Sequence, residues 1–172
     1  MPKRKRIKYG GLQPLDRFVN SLDQKAKKKA KYAVVPKTNE HEKILSLMKN
    51  AGFIQFYWES DMLFGYYVVS LKYVGHAKIS ALRNIRRVSK SSKPFYLKAE
   101  QLTYKEARLN FSILRTDLGL MSGLQAWAEN LGGELILEIN VCESTPRILQ
   151  HEREKSSLLS SLEYNYKISM SF

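Results

Sequence analysis

The chain has 172 residues, of which 44% are hydrophobic and 11% aromatic, enough to bury the core of one large domain or two small ones. A single cysteine excludes an intramolecular disulfide framework and a thiolate zinc site, and the absence of a long apolar run excludes a membrane-spanning helix. Twenty-nine Lys and Arg residues against sixteen Asp and Glu residues give a net charge of +13, which indicates a polyanionic partner.

The positive charge is concentrated in two blocks. Residues 1–31 contain eleven basic residues and two acidic ones, and residues 62–99 contain eight basic residues and no acidic one. Aromatic residues such as Phe95 and Tyr96 lie within the second block. Cations interleaved with aromatic rings suit a surface that binds phosphates and stacks on bases, although a solvated basic face is the alternative.

The first third of the chain predicts a leader, a helix and a strand. Residues 1–14 are basic and contain Gly10, Gly11 and Pro14, which favours an RNA-binding arm over a mitochondrial presequence. Apolar residues recur at helical spacing in 15–22, and the lysine-rich run after them either extends this helix or forms a loop. Residues 32–35 then predict a strand that Pro36 ends.

The next segment predicts a helix followed by a β-hairpin. Asn39 and Glu42 have the spacing of a capping box, and the helix that they open ends near Gly52. Residues 53–58 and 65–73 are rich in aromatic and β-branched residues, which indicates two paired strands. We expect their aromatic side chains to belong to the core rather than to a ligand site.

The second half of the chain predicts mainly strands. Residues 77–89 fit either a helix or an irregular strand, and residues 94–102 fit an extended segment. Residues 110–114 predict a strand, followed by a loop, by a helix that a Ser122–Gln125 capping box opens and Gly132 ends, and by a buried strand at 134–139. The Ser-rich remainder predicts an appendage.

Catalytic and metal-binding patterns are missing from the sequence. It has no GxxxxGK[ST], GxGxxG or HExxH motif, and its three histidines are far apart, so each is expected to be solvated. Asp117 and Glu134 have no nucleophile or general base beside them. The sequence therefore predicts a protein that is not an enzyme and that uses no cofactor, metal or small-molecule substrate.

Four segments in order resemble the small-subunit ribosomal protein eight family over about residues 15–139. The third segment, LRTDLGLMS, resembles the family's most specific signature, a Ser-Thr-Ser-x-Gly-x-Met-Thr loop. The second segment matches the family's Arg-Val-Ser, loop and tyrosine, and the fourth matches its Gly-Gly-Glu strand. The four segments are VPKTNEHEKILSLMKNAGFI, LRNIRRVSKSSKPFYLKAEQL, LRTDLGLMS and AENLGGELILEI.

The resemblance implies an α+β fold of two small domains, an N-terminal α/β layer and a mainly β C-terminal domain with one helix. It places the basic leader at 1–14, the N-terminal domain at 15–75, the rRNA-binding domain at 76–140 and a C-terminal extension at 141–172. It resolves residues 77–89 in favour of strand. The implied partners are small-subunit rRNA, whose central domain the protein would bind, and neighbouring small-subunit ribosomal proteins. A free basic RNA-binding regulator is the alternative.

The resemblance also implies a set of rRNA-binding residues. The signature loop places Thr116, Gly119, Met121 and Ser122 at minor-groove and backbone contacts. Tyr96 matches the family's rRNA-facing aromatic residue, with packing in the core as the alternative. The flanking serines of the family are replaced by Arg115, which is suited to a phosphate, and by Asp117, which needs a base amine, a 2′-hydroxyl or Arg115 as its partner. The remaining expected contacts are Lys25, Lys27, Lys28, Lys29, Lys31, Arg86, Arg87, Ser89, Lys90, Lys93, Lys98 and Glu134.

The departures from the bacterial pattern favour an organelle. About four extra residues between Asn20 and Pro36, the N-terminal arm, the C-terminal tail and the lost serines are typical of divergent organellar ribosomes. Frequent Lys, Tyr, Ile and Asn residues are typical of an AT-rich gene. We therefore expect a mitochondrial ribosome, with a plastid or a bacterial cytoplasm as the alternatives.

Overall fold

A computed structural model describes residues 13–75, 78–82, 84–103 and 110–140. These residues belong to one compact unit. Residues 1–12 of the predicted leader and the predicted extension at 141–172 lie outside the described residues. No helix in the described ranges has the length and apolar character needed to cross a membrane.

Within the described ranges, three α-helices and a short 3-10 helix at Ala99–Gln101 combine with antiparallel strands. The α-helices are α1 (Pro14–Lys27), α2 (Asn39–Asn50) and α3 (Gly123–Ala128). The strands are β1 (Tyr32–Pro36), β2 (Ile54–Glu59), β3 (Tyr66–Leu71), β4 (Tyr73–Val74), β5 (Ile79–Ser80), β6 (Ile85–Arg87), β7 (Tyr96–Leu97), β8 (Asn110–Thr116), β9 (Gly119–Ser122) and β10 (Gly133–Asn140). The predicted α+β class is confirmed, and the described residues of 77–89 contain strands rather than a helix.

Helix α1 confirms the predicted helix and continues through part of the lysine run. Pro14 stands at its first turn, where the missing N–H costs nothing, and Asp16 complements the positive end of the helix dipole. One face buries Leu15, Phe18, Val19, Leu22 and Ala26, at the spacing that places side chains on a single side of a helix. The lysine run therefore begins in the last turn of a helix whose apolar face is buried.

Helix α2 begins one residue earlier in the chain than the predicted cap implies. The N-cap is Thr38, which has an extended backbone and whose side chain accepts a hydrogen bond from the His41 N–H at 3.1 Å. Asn39 is already the first helical residue, so the predicted Asn39–Glu42 capping box is wrong. Sequence spacing alone allowed both starts, because threonine and asparagine are both good N-cap residues.

Strands β1, β3 and β2 form a sheet in that order, with β3 in the centre. The predicted β2–β3 hairpin is confirmed, since the register pairs Tyr57 with Val69 and Trp58 with Val68. The expectation that its aromatic residues are core holds for Phe53 and Tyr67. It is wrong for Phe56 and Trp58, which are exposed because they lie on the face opposite Val69.

The second sheet has the order β6-β10-β8-β9, and β7 also pairs with β10. Strand β9 was not predicted: the segment expected to be a loop folds back on β8 as a hairpin. The Ser122–Gln125 capping box of α3 is confirmed, with Gln125 N–H donating to Ser122 Oγ at 3.3 Å. Helix α3 ends at Ala128, and Asn130 rather than Gly132 has the left-handed backbone, with φ 52°.

The buried side chains of the two sheets meet in a continuous cluster. Residues of α1, α2 and the first sheet pack against Leu82, Ile85, Ile113, Leu137 and Ile139 of the second half. A smaller cluster under α3 contains Leu114, Met121 and Leu135. Strand β10 is central and buried, as predicted. The domain boundary between residues 75 and 76 stays a prediction.

His41 is buried within this cluster, so the expectation of a solvated side chain is wrong at this position. Only 1% of its surface is exposed, its ring stacks on Phe18 with centroids 4.6 Å apart, and Nδ1 lies 2.8 Å from the Pro36 carbonyl oxygen. Removal from water disfavours the imidazolium, so burial lowers the pKa of His41 below its ordinary value of 6.5. His76 and His151 lie outside the described residues.

His41 predicts a loss of stability in mild acid. In the unfolded chain His41 binds a proton as pH falls through about 6.5, whereas the folded chain resists protonation, so the free energy of unfolding falls below that pH. His41→Gln should remove this pH dependence between pH 7 and 5 while lowering stability at pH 7 by about 1–3 kcal/mol. Urea titrations at each pH measure both effects. His151→Gln is the control, and a slope that disappears in the control instead would refute the assignment.

Candidate nucleic-acid interface

Three of the predicted site residues form a row across the second sheet. Tyr96 of β7 is paired with Glu134 of β10, and Glu134 is paired with Arg115 of β8. Directly opposed residues of antiparallel strands place their side chains on the same face, so the three side chains are neighbours. Tyr96 is 67% exposed, which leaves its ring available for stacking.

Arg115 is held by two carboxylates. Its guanidinium donates to Glu134 at 2.9 Å and also to Glu40 in the first turn of α2, which is 75 residues away in sequence. Arg115 therefore ties helix α2 to the second sheet. The sequence left open an Arg115–Asp117 pair or an Arg115–phosphate contact; in the structure the carboxylate partners of Arg115 are Glu134 and Glu40. A phosphate would have to compete with both of them.

Arg87 is engaged in a similar way at the start of α1. Its side chain is 12% exposed and donates to Ser89 O at 2.6 Å and to Gln13 Oε1 at 3.1 Å, and it forms an ion pair with Asp16 at 3.1 Å. Arg86, by contrast, is 64% exposed, although it donates to Glu138 at 2.6 Å. Of the two adjacent arginines, Arg87 thus links β6 to α1, and Arg86 stays accessible from solvent.

Arg87, Arg115 and Glu134 line an open cleft of about 420 Å³. One wall is the start of α1 and α2, with Gln13, Pro14 and Glu40, and the opposite wall is the second sheet. The residues that line it also include Leu15, Ser89, Lys90, Ser91, Pro94 and Ile136. Both signs of charge line the cleft, so it is not a simple phosphate pocket.

The loop between β6 and β7 presents exposed lysines on a backbone that internal hydrogen bonds support. Ser89 is buried, and its Oγ accepts from the Phe95 N–H at 2.9 Å, so this predicted contact residue supports the loop from inside. Lys90 and Lys93 close a tight turn through two backbone hydrogen bonds of 2.9 and 3.2 Å. Lys90, Lys93 and Lys98 are exposed, and Phe95 is 48% exposed beside Tyr96. This loop combines cations with accessible rings.

The signature turn between β8 and β9 is also held from inside. Thr116 is 9% exposed, and its hydroxyl donates to Gly119 O at 3.1 Å and accepts from Leu118 N–H at 3.3 Å. Met121 is buried under α3, and Ser122 caps that helix. The exposed residues of the turn are Asp117 and Leu118, and Gly119 has the positive φ of 116° that the turn requires.

The sheet brings this turn and Lys98 to the same end. The loop with Lys90 and Lys93 instead leaves the edge of the sheet beside Leu135, where the Ser89 N–H donates to Leu135 O and the Leu135 N–H donates to Phe95 O. Thr116 and Lys98 both follow the row of Tyr96, Glu134 and Arg115 in the same strand direction, because β7 and β8 are each antiparallel to β10. Between them, Gly132 precedes β10 and Gly133 is its first residue. A Cβ on Gly132 would lie 2.6 Å from Leu97 O, and one on Gly133 would overlap Arg115 O, so both glycines are needed for strands this close.

The lysines of α1 lie apart from the cleft. The cleft contacts the first residues of α1, whereas Lys25 and Lys27 are in its last turn, and Lys28, Lys29 and Lys31 follow it. A helix of 14 residues is about 21 Å long, so the fold separates these lysines from the cleft by roughly that distance. Lys27 also pairs with Asp23 at 2.6 Å. The predicted contact residues thus form two groups.

Sequence reasoning missed Gln13, Asp16 and Glu40, which hold the predicted arginines. Each is polar and lies in or before the first turn of a helix, where carboxylates are common for local reasons, so nothing local indicated a distant partner. Within the described ranges, no group of three or more His, Cys, Asp or Glu side chains is arranged to hold a metal ion.

Comparison with known proteins identifies relatives of the chain. Residues 13–140 match the family model described as Ribosomal protein S8. The protein named small ribosomal subunit protein uS8 of Bartonella henselae is 30% identical over 125 residues, which cover 73% of this chain and 92% of that protein. The protein of the same name from Mycoplasmopsis synoviae is 32% identical over 125 residues, which cover 72% of this chain and 93% of that protein. The one from Mesomycoplasma hyopneumoniae strain 7448 is 34% identical over 97 residues, which cover 56% of this chain and 72% of that protein.

The contacts of Arg115 predict a measurable coupling with Glu134. In a double-mutant cycle of Arg115→Ala and Glu134→Ala, followed by urea unfolding, we expect a coupling energy of about 0.2–1 kcal/mol, because Arg115 is 49% exposed and water screens the pair. The Lys37–Glu59 pair, 2.5 Å apart and exposed on both sides, is the comparison and should couple less. Zero coupling together with a loss of RNA affinity in Arg115→Ala would instead make Arg115 a phosphate ligand.

Proposed function

Because the chain belongs to the ribosomal protein S8 family, we propose that it is a structural constituent of the small ribosomal subunit that binds the central domain of small-subunit rRNA and supports its assembly. Its partners are this rRNA and neighbouring small-subunit ribosomal proteins. The family is one of ribosomal proteins, not a class of enzymes. No reaction is part of the proposal.

The observation that carries the rRNA proposal is the exposed Tyr96 beside the cations of a hydrogen-bonded loop. Lys90, Lys93 and Lys98 project from the β6–β7 region, in a stretch of 38 residues, 62–99, without an acidic side chain. Phosphates pair with such cations, and an accessible tyrosine ring stacks on a base. The turn at Asp117 and Leu118 lies at the same end of the sheet as Lys98, where both would meet the same RNA helix.

In this proposal the predicted contact residues have different roles. The lysines of the loop neutralise phosphates, Tyr96 stacks, and the backbone of Gly119 allows RNA to approach closely. Ser89, Thr116, Met121 and Ser122 hold the loop and the turn in shape, since each is engaged within the protein. Arg87, Arg115 and Glu134 set the distance between the sheet and the helices. Arg86 and the α1 lysines add cations further away.

The proposal is tested by binding of the full chain to the small-subunit rRNA central-domain fragment over a salt series. Tyr96→Ala should weaken binding by roughly five- to 150-fold, corresponding to ~1–3 kcal/mol per stacked base, while Tyr96→Phe retains affinity. Lys93→Gln should reduce the slope of log K against log salt by about 0.9, the change for one lost phosphate contact. Lys43→Gln, an exposed lysine of α2, is the control.

Equal affinity of the wild-type chain for the fragment and for unrelated RNA of the same length would contradict this proposal. So would a Lys43→Gln effect as large as that of Lys93→Gln, because binding would then follow total charge rather than the loop.

Membership of a ribosomal protein family indicates a ribosomal location. We propose the mitochondrial ribosome, supported by the extra lysine-rich residues before Pro36 and by Arg115 and Asp117 in place of the family's serines. The relatives described above are bacterial. The protein should sediment with the small ribosomal subunit of purified mitochondria from its own source; its recovery with plastid or cytoplasmic subunits instead would refute the mitochondrial location.

A further inference from the structure

The outer face of the first sheet carries an exposed aromatic cluster. Tyr32 of β1 is 41% exposed, and Phe56 and Trp58 of β2 are 48% and 40% exposed. The Tyr32 and Trp58 rings meet edge to face with centroids 5.6 Å apart, and the Phe56 and Trp58 rings are stacked at 5.5 Å. We refer to these three side chains as the aromatic face. Each ring thus contacts a neighbouring ring, although all three remain exposed.

The register explains why the three rings are neighbours. Tyr32 and Phe56 are both paired with Ser70 of the central strand β3, and Trp58 is paired with Val68. These small side chains let the rings of the two edge strands lean across the sheet. The other face, with Ala33 and Val69, packs against the core, so the aromatic face points away from it. A contiguous apolar patch on a surface of this kind marks an interaction site.

The charge next to the aromatic face is positive at one end. Lys31 precedes Tyr32, and its Nζ lies 5.2 Å from the centroid of the Tyr32 ring. The exposed lysines Lys27, Lys28 and Lys29 lie just before it in the chain. The acidic residues Glu59 and Asp61 follow Trp58 and thus lie towards the opposite end of the strands. A polyanion would approach from the Lys31 end.

We propose that the aromatic face binds single-stranded RNA, with two or three unpaired bases stacked on the rings and their phosphates paired with Lys31 and the preceding lysines. Every base has a π-face, so such a surface binds RNA with little sequence preference. The inference deepens the proposed function by adding a second RNA site, made of aromatic residues that the rRNA interface around Tyr96 does not use. It also gives the α1 lysines, which lie about a helix length from the cleft, a ligand of their own.

Lysines favour RNA over a protein partner at this face. A contact with a neighbouring protein would require a complementary apolar surface and would not require lysines beside it. The phosphates spaced along an RNA strand, by contrast, match a run of lysines next to aromatic rings. A protein contact is therefore the competing result that the experiment has to detect.

The experiment uses the fluorescence of Trp58 in the full chain. The protein has two tryptophans, so Trp127→Phe leaves Trp58 as the single indole. Titration with a twelve-nucleotide oligouridylate should quench its emission saturably, because a stacked base contacts the ring. Inorganic polyphosphate with the same number of charges should bind the lysines without that quenching. Circular dichroism checks that each variant is folded.

A second variant separates stacking from charge. Phe56→Ala should weaken oligouridylate binding by roughly five- to 150-fold, the effect of losing a stacked base, and leave affinity for the rRNA central-domain fragment unchanged. Phe64→Ala, an aromatic residue that is 74% exposed in the β2–β3 turn, is the matched control and should have no effect on either ligand.

Two results would overturn the inference. One is binding of oligouridylate without quenching of Trp58 and without an effect of Phe56→Ala. The other is a change in self-association on Phe56→Ala, measured by sedimentation velocity, with RNA affinity unchanged, which would make the aromatic face a protein contact. Binding of the wild-type chain to the rRNA fragment, measured in parallel, shows whether the proposed function itself holds.

Discussion

Strand β10 pairs with β6 and β7 along one side and with β8 along the other, and the geometry of the interface depends on this arrangement. Its first residue, Gly133, has no room for a Cβ because the Arg115 carbonyl oxygen lies against it. The close approach sets Tyr96, Glu134 and Arg115 in one row. Through Arg115 the row reaches Glu40 at the start of α2. One strand thus positions the basic loop, the signature turn and the helices.

Arginine and lysine have different roles in this basic chain. Arg86, Arg87 and Arg115 each form ion pairs with carboxylates across strands or between strand and helix. Their forked donors can satisfy two partners at once, which suits an internal link. Lys90 and Lys93 instead project from a turn into solvent. The net charge of +13 is therefore a poor guide to which cations are available to RNA, since several arginines are already neutralised.

Local patterns predicted much of the fold. The helix at Leu15, the β2–β3 hairpin, the Ser122–Gln125 cap and the buried β10 are confirmed, because each follows from side-chain periodicity or from hydrogen bonds over three or four residues. The errors arose where two local solutions were equally good or where a distant partner decided the result. Thr38 and not Asn39 caps α2, and β9 forms because β8 offers it an open edge. The contact residues proposed for rRNA stay predictions.

The sequence by itself determined the α+β class, the family and the two basic blocks, since periodicity, motif spacing and charge are properties of the chain and persist in any fold. The tertiary structure decided which face each side chain occupies. It buried His41 against Phe18 and left Phe56 and Trp58 exposed, although all are aromatic and belong to amphipathic elements. It also paired the Arg115 guanidinium with the Glu40 carboxylate, 75 residues away in sequence. Burial and long-range pairing depend on which surfaces meet, and local sequence does not encode that meeting.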